Sequence, residues 1–261
     1  MNVLNKIRDK LRALPDWSIL GLLMLFALVV RLVYLYLNPM ETRDGIYYIR
    51  FTQGWFERGA AALPSFARMP PPLYCYMGKM LMYLGLGASQ ALLLINLFFG
   101  VATLVPAYFV GKTIYDDRKA GLWFASFTAV LPPLVTYSCT RTRECIYLFF
   151  LFWIAALWII AIRTKWRPWL CSALCGAMVS IAMHCRYEAF ELLPFVVIGL
   201  PASVLIPSRQ WKKSLLVLSG AITGVLIALA VMMLLPGMPN IVRIFYNQVY
   251  AQCLGTSLNP L

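Results

Sequence analysis

The chain has 261 residues, of which 61% are hydrophobic and only 13% charged, and it carries a formal net charge of +13. A soluble globular domain has about 25% charged residues, so this composition excludes one and places most of the chain in lipid. The positive balance is that of a membrane protein with basic loops, and no nucleic-acid partner is expected from it.

Apolar runs of about 20 residues predict helices, because a spanning strand needs only about 10 alternating residues. The first run, SILGLLMLFALVVRLVYLYL (Ser18–Leu37), gives a span over 17–37. It is too long for a signal-peptide core and no small-residue cleavage site follows, so it reads as an uncleaved signal anchor. The next stretch, ETRDGIYYIRFTQGW (Glu41–Trp55), does not turn back into lipid. In it Asp44, Tyr48, Phe51 and Trp55 fall at i, i+4, i+7 and i+11, on one helical face with Tyr47 beside it. Arg50, Gln53, Glu57 and Arg58 lie elsewhere on the wheel, and Gly59 suits a C-terminal cap. This predicts a short amphipathic helix along a membrane surface. By residue type and position, Asp44 reads as its N-cap, a role that leaves one carboxylate oxygen for chemistry.

ARMPPPLYCY (Ala67–Tyr76) comes next. Its proline run fixes an extended chain that delivers Arg68 to a set position or simply connects two elements. The apolar stretch 70–87 contains Lys79 and reads as an interfacial or re-entrant helix rather than a span. Six further spans follow over 89–111, 119–138, 145–162, 168–185, 190–206 and 214–235. Pro132–Pro133 and Pro194 interrupt two of them. The expected fold is therefore all-α: a polytopic membrane helix bundle of about seven transmembrane helices, with outer interfacial helices in the first outer loop. Residues 1–261 form one membrane domain.

Loop charges set the orientation. With the N-terminus cytoplasmic, the inner loops hold 13 of the 23 basic residues and four acids. Every proposed inner loop is then basic. A spanning 70–87 segment would invert the later loops, which disfavours that reading.

The outer side carries the other ten basic residues, Arg31 included, and nine of the ten are arginine. Arginine binds phosphate or carboxylate bidentately and is always charged. Charges near span ends in a membrane protein are functional candidates by default. In YSCTRTRECIY (Tyr137–Tyr147), Arg141 and Glu144 stand at i, i+3 and pair with each other, or else Arg141 or Arg143 binds an anion that Glu144 positions. In HCRYEAFELLP (His184–Pro194), Arg186 and Glu188 face one pocket only if the chain turns between two helices. His184 is the sole histidine and reads as a packed, hydrogen-bonded residue, so no metal is assigned. The seven cysteines match no zinc spacing and read as apolar packing residues, although Cys139 and Cys145 flank one outer loop and are spaced to pair. Asp116–Asp117, beside Lys112, Arg118 and Lys119, is a charge-balanced inner turn.

The order of these features carries a resemblance. An outer Asp in RDGIYY is followed by RMPPPLY before an apolar helix, then GKTIYDDRKAG at an inner turn and PPLVTYSCTRTRE at the next outer turn. Over about residues 15–235 this resembles the polyprenyl-phosphate-dependent membrane glycosyltransferases of the GT-C fold. Within them it is most similar to the protein mannosyltransferase, aminoarabinose transferase and RgtA-like branch. The resemblance implies a module of about seven spans whose first outer loop forms surface helices. It implies transfer of a sugar from a lipid-linked phosphate donor to an acceptor lipid, glycan or protein on the extracytoplasmic side, with inversion. It places the catalytic base on Asp44. The donor phosphate falls to Arg68, Arg141, Arg143 and Arg186, and the second outer acid resembles Glu144. Tyr48 and Glu188 complete the candidate substrate-binding set. No cofactor beyond the polyprenyl-phosphate sugar co-substrate is expected.

Family members continue with further spans and often a soluble outer domain, whereas this chain stops after FYNQVYAQCLGTSLNPL. That ending raises the expectation of a truncated product, a fragment, or half of a split enzyme completed by a second polypeptide. Two other functional classes fit the same residues: a transporter or flippase for an anionic lipid-linked substrate, and an inactive fragment or assembly subunit. Compact loops and the lack of lumenal processing signals favour a bacterial inner membrane.

Overall fold

The computed structural model describes residues 15–39, 41–59, 72–163 and 167–235. Among them there are helices and no strand. The helices are α1 (Asp16–Leu37), α2 (Arg43–Arg58), α3 (Pro72–Met82), α4 (Ala88–Ala102), α5 (Leu104–Tyr115), α6 (Arg118–Val130), α7 (Pro132–Cys139), α8 (Glu144–Arg163), α9 (Pro168–Cys185), α10 (Leu200–Ser208) and α11 (Trp211–Leu234). Between α9 and α10 the chain is extended at Arg186 and then helical again, with a changing pitch. A 3₁₀ turn, Tyr187–Glu191, passes through Leu192–Pro194 into a π turn, Phe195–Gly199.

Six stretches are long and apolar enough to cross a membrane: α1, α4 with α5, α8, α9, Tyr187–Pro207 and α11. α6 and α7, bent by 54° at their junction, make a seventh if they act as one span. The polytopic all-α bundle expected from the hydropathy is therefore what the chain forms. α3 is different: its 11 residues extend about 16 Å, too short for a hydrocarbon core of about 30 Å. It does not lie flat on a surface. Leu73, Tyr74, Cys75 and Tyr76 are buried, and it packs among α2, α4 and α9.

The bend between α6 and α7 follows from Pro132–Pro133. Neither residue has an N–H, and the residue before a proline is pushed out of helical conformation. Leu131 accordingly sits at φ −61, ψ 118. In an unbroken helix the Ala129 carbonyl would accept from residue 133. Here Arg31 of α1 donates to it instead: Nη1 lies 3.1 Å from the Ala129 oxygen and 3.0 Å from that of Ala27, and Nη2 lies 3.2 Å from the Gly100 oxygen. Arg31 is fully buried. Its assignment to the outer surface is thus corrected, because carbonyls released at a helix break draw its guanidinium into the bundle.

α9 and α11 pack backbone to backbone. A Cβ on Gly224 would stand 1.8 Å from the Ala173 carbonyl oxygen, and one on Gly176 would stand 2.2 Å from that of Ala221. Small residues at helix crossings allow this approach. His184 is buried nearby with Nδ1 2.8 Å from the Ser180 carbonyl, as a packed histidine should be. Cys139 and Cys145 are both buried and form no disulfide with each other.

Polar contacts sort the connections to two ends of the bundle. At one end Asp16 pairs with Lys112 at 3.2 Å and with Arg118, and accepts from the Tyr108 hydroxyl. There too Arg163 donates to the Thr113 carbonyl at 3.3 Å and Lys213 to that of Ile162 at 3.1 Å. At the opposite end α2, α3, the Thr140–Arg143 turn and the Arg186–Glu188 turn meet, and the candidate residues lie there.

Candidate active site

α2 is placed by its buried stripe. Tyr48, Phe51 and Trp55 are buried, at 7%, 0% and 1% exposure, as the i, i+3, i+7 spacing predicts, and Gly59 closes the helix at φ 61 with its N–H on the Trp55 carbonyl. The cap at the other end is Thr42, not Asp44. Thr42 Oγ1 accepts from the Gly45 N–H at 3.0 Å, and Thr42 is extended at φ −77, ψ 157. An N-cap must be non-helical for its oxygen to reach back to the first turn, and Asp44 is already inside that turn. Its carboxylate stands exposed at the tip of the buried stripe, where the positive end of the helix dipole favours it.

The acid that fastens α2 to the rest of this end is Glu41. Its Oε1 accepts from the backbone N–H of Thr42 at 3.0 Å and of Arg141 at 3.2 Å. Its Oε2 lies 2.7 Å from Arg141 Nη1, with both side chains about one-sixth exposed, at 15% and 16%. Gly45 makes room for it, since a Cβ there would stand 2.0 Å from Glu41 Oε1. The Arg141–Glu144 pair allowed by the sequence does not form. Residues 140–143 are a turn rather than helix, so i, i+3 spacing does not put them on one face. Glu144 instead starts α8, and its Oε1 is 4.0 Å from Arg143 Nε.

Arg143 is the central charge. It is less than one-quarter exposed, and its Nε makes no hydrogen bond. It lies within electrostatic reach of Tyr48, Cys75, Tyr187 and Glu188. Arg186 ends α9 in extended conformation, φ −153 and ψ 128. The 3₁₀ turn that follows brings Glu188 Oε2 to 3.2 Å from Arg186 Nε. The Arg186 guanidinium also lies over the Tyr147 ring, 5.5 Å from its centroid, and feels the charge of Glu144. Tyr48 joins the groups, since Asp44, Arg143 and Glu144 all act on its phenol.

The structure therefore brings together Asp44, Tyr48, Arg143, Glu144, Arg186 and Glu188, and draws Arg141 to Glu41. Arg68 lies outside the described residues. Burial pushes the Tyr48 and Tyr74 phenols far above their usual range and the Cys75 thiol up to about 12. These groups are neutral, and the charge at this end rests on carboxylates and guanidiniums. An open cleft of about 610 Å³ on the polar side of α2, between Gln53, Glu57 and Gln90, contains none of the six residues. Among the described residues no three His, Cys, Asp or Glu side chains gather as a metal site would require.

The sequence reading passed over Asn96 and Tyr74. One signal for Asn96 was available: it is a single amide in the apolar run LLLINLFFG, and a polar residue at such a position needs a partner. The partners themselves lie far along the chain.

Several guanidiniums beside carboxylates at one end of a helical membrane bundle suit a phosphate-bearing ligand. Residues 69–235 match the family model described as dolichyl-phosphate-mannose-protein mannosyltransferase. No curated protein matches the chain. The matched stretch contains Arg141, Arg143, Glu144, Arg186 and Glu188 and starts after Asp44 and Tyr48. It runs through six of the apolar stretches, counting the bent pair, and over well more than half of the chain, so the chain belongs to the dolichyl-phosphate-mannose-protein mannosyltransferase family of membrane glycosyltransferases.

Proposed function

We propose that the chain transfers a sugar from a polyprenyl-phosphate-linked donor to an acceptor hydroxyl on the extracytoplasmic side of a membrane, with inversion. The observation that carries this is Arg143: a mostly buried guanidinium whose Nε makes no hydrogen bond, which acts on Glu188 together with Arg186 and lies within reach of the same tyrosine as the exposed Asp44. Family membership supports the donor class. The acceptor oxygen attacks the anomeric carbon from the face opposite the phosphate. Its proton passes to Asp44, the bond from the anomeric carbon to the phosphate oxygen breaks, and polyprenyl phosphate leaves with the electron pair. Arg143 and Arg186, with Arg68 as the further candidate, bind the phosphate and stabilise the charge that grows on it. Glu144 and Glu188 hold these guanidiniums in place, Tyr48 lines the site, and Arg141, engaged by Glu41, holds the turn. A bacterial inner membrane is the proposed setting, and a second polypeptide that completes the site is a candidate partner.

The test is sugar transfer in proteoliposomes from labelled polyprenyl-phosphate sugars, with the wild type compared with Asp44→Asn and Arg143→Gln. Asp44→Asn is expected to lower turnover by roughly 10²–10⁴-fold, the range of general-base contributions, with donor binding kept. Arg143→Gln is expected to weaken donor binding. Equal turnover in wild type and Asp44→Asn would remove Asp44 as the base. Donor binding by the wild type without transfer under any acceptor would favour a carrier or an assembly subunit.

A further inference from the structure

The turn that bears Arg141, Arg143 and Glu144 is held from below by one side chain. Asn96 lies in the middle of α4 and is fully buried. Its Nδ2 is 2.6 Å from the carbonyl oxygen of Thr140, 2.7 Å from that of Thr142, and 3.1 Å from the Tyr74 hydroxyl. The Tyr74 hydroxyl in turn donates to the Leu92 carbonyl at 3.3 Å. The Tyr74 ring meets Tyr48 edge-on, with centroids 5.6 Å apart. One amide thus connects α4, the turn, α3 and, through the aromatic pair, the helix that carries Asp44.

The chemistry of the amide fits this task. Two carbonyls pointing at one spot need a donor, and an NH₂ group supplies two hydrogens there without bringing charge, one of them shared with the more distant Tyr74 hydroxyl. A leucine would leave both carbonyls unpaired, and an aspartate would set a carboxylate against them. Asn96 Oδ1 makes no hydrogen bond. What the amide secures is the place of the turn.

We infer that Asn96 is a positioning residue that fixes Arg143 and Glu144 opposite Tyr48 and Asp44 before any donor arrives. The inference rests on the proposed function for what the turn binds, and on the geometry alone for what holds it. Asn96 touches no reacting group in this scheme. It acts through the turn, and preorganised charges stabilise a transition state better than charges that must be moved into place.

The experiment uses the full chain in nanodiscs, as wild type, Asn96→Ala, and Asn96→Ser, which keeps one donor. The first readout is hydrogen exchange of the backbone amides of 140–144 against those of α8, α9 and α11. Loss of the anchoring bonds is expected to raise exchange in 140–144 by roughly tenfold or more in Asn96→Ala, with the spans unchanged and Asn96→Ser between. The second readout is binding of dolichyl phosphate from phosphatidylcholine vesicles, expected to weaken about tenfold in Asn96→Ala, the equivalent of one neutral hydrogen bond's worth of misplacement, and to recover in part in Asn96→Ser. Unchanged exchange at 140–144 overturns the proposal. Exchange that rises equally through all spans, or an Asn96→Ala chain that does not fold while Asn96→Ser behaves as wild type in both readouts, also overturns it, since Asn96 would then serve only the fold. If local exchange rises and wild type binds no dolichyl phosphate, the positioning of the turn stands and the proposed function falls.

Discussion

Asp44 and Glu41 stand three residues apart at one helix start and do opposite things. Glu41 is mostly buried, satisfied by two backbone N–H groups and Arg141, so its charge is spent on holding the turn. Asp44 is exposed at the helix tip, as the proposed role of base requires. The glycine beside Asp44 makes this division possible. Gly45→Ala would put a methyl 2.0 Å from Glu41 Oε1 and drive that carboxylate off Arg141. The expected cost is about 1–3 kcal/mol, the range for forcing a group into filled space. Thermal unfolding in detergent checks it, and Gly45→Ala with Glu41→Ala should then cost less than the two changes summed, because the clash is with the side chain that Glu41→Ala removes. Additive losses would mean that the glycine serves the helix and not the carboxylate. The same residues mark the limit of reading by pattern. Asp44 stood out because it heads the helical stripe that Tyr48, Phe51 and Trp55 continue, and Glu41, three residues before it, was passed over because its partner lies 100 residues along the chain. Residue type also misassigned the cap. Asp and Thr are both good N-caps, and only the backbone conformation of Thr42 separates them.

Helix by helix, the apolar runs were legible because a span must satisfy its own backbone, and about 20 residues of hydropathy leave few alternatives. What a break in a span does was less legible. Pro132–Pro133 announced an interruption, but nothing local says what satisfies the freed carbonyls. The answer is Arg31, which the loop-charge argument had set at the membrane surface. The pairing gives a specific expectation. Arg31→Met removes donors from the Ala129 and Gly100 carbonyls and should destabilise the bundle by about 1–3 kcal/mol for each buried carbonyl left unpaired. Pro133→Ala restores an N–H able to reach the Ala129 carbonyl, so it should be tolerated far better beside Arg31→Met than alone. A double-mutant cycle on unfolding in mixed micelles should show a coupling of about 0.5–3 kcal/mol with that sign. A coupling near zero would mean that Arg31 holds the bundle through Gly100 and not through the helix break. The turn Thr140–Arg143 behaves in the same way at the site: spacing suggested an Arg141–Glu144 pair, and the backbone, in a turn rather than a helix, gave each residue a different partner.

At the scale of the whole molecule the contacts divide the chain between two ends without reference to any membrane. Asp16, Lys112, Arg118, Arg163 and Lys213 gather at one end. The opposite end holds Glu41, Arg141, Arg143, Arg186 and Glu188. Basic residues occur at both ends, but they are used differently. At the site end the bases just named are all arginine, and the neutral phenols of Tyr48 and Tyr74 lie close to them. The other end is rich in lysine and includes Lys119, which is exposed at the α6 turn. Short lysine- and arginine-rich loops are retained on the cytoplasmic side, so the proposed orientation puts that end inside and the site outside. Two exposed positions make the comparison clean. Gln90 at the start of α4 lies beside α2, across the open cleft, and Lys119 at the start of α6 lies at the lysine-rich end. With the native cysteines replaced, Gln90→Cys should react with a membrane-impermeant maleimide in intact cells or spheroplasts, and Lys119→Cys should react only after permeabilisation. The opposite result would place the site in the cytoplasm. The geometry of Asp44 and Arg143 would be untouched by that result, but a donor presented on the far leaflet could not reach them, so transfer would have to start from a lipid on the cytoplasmic side.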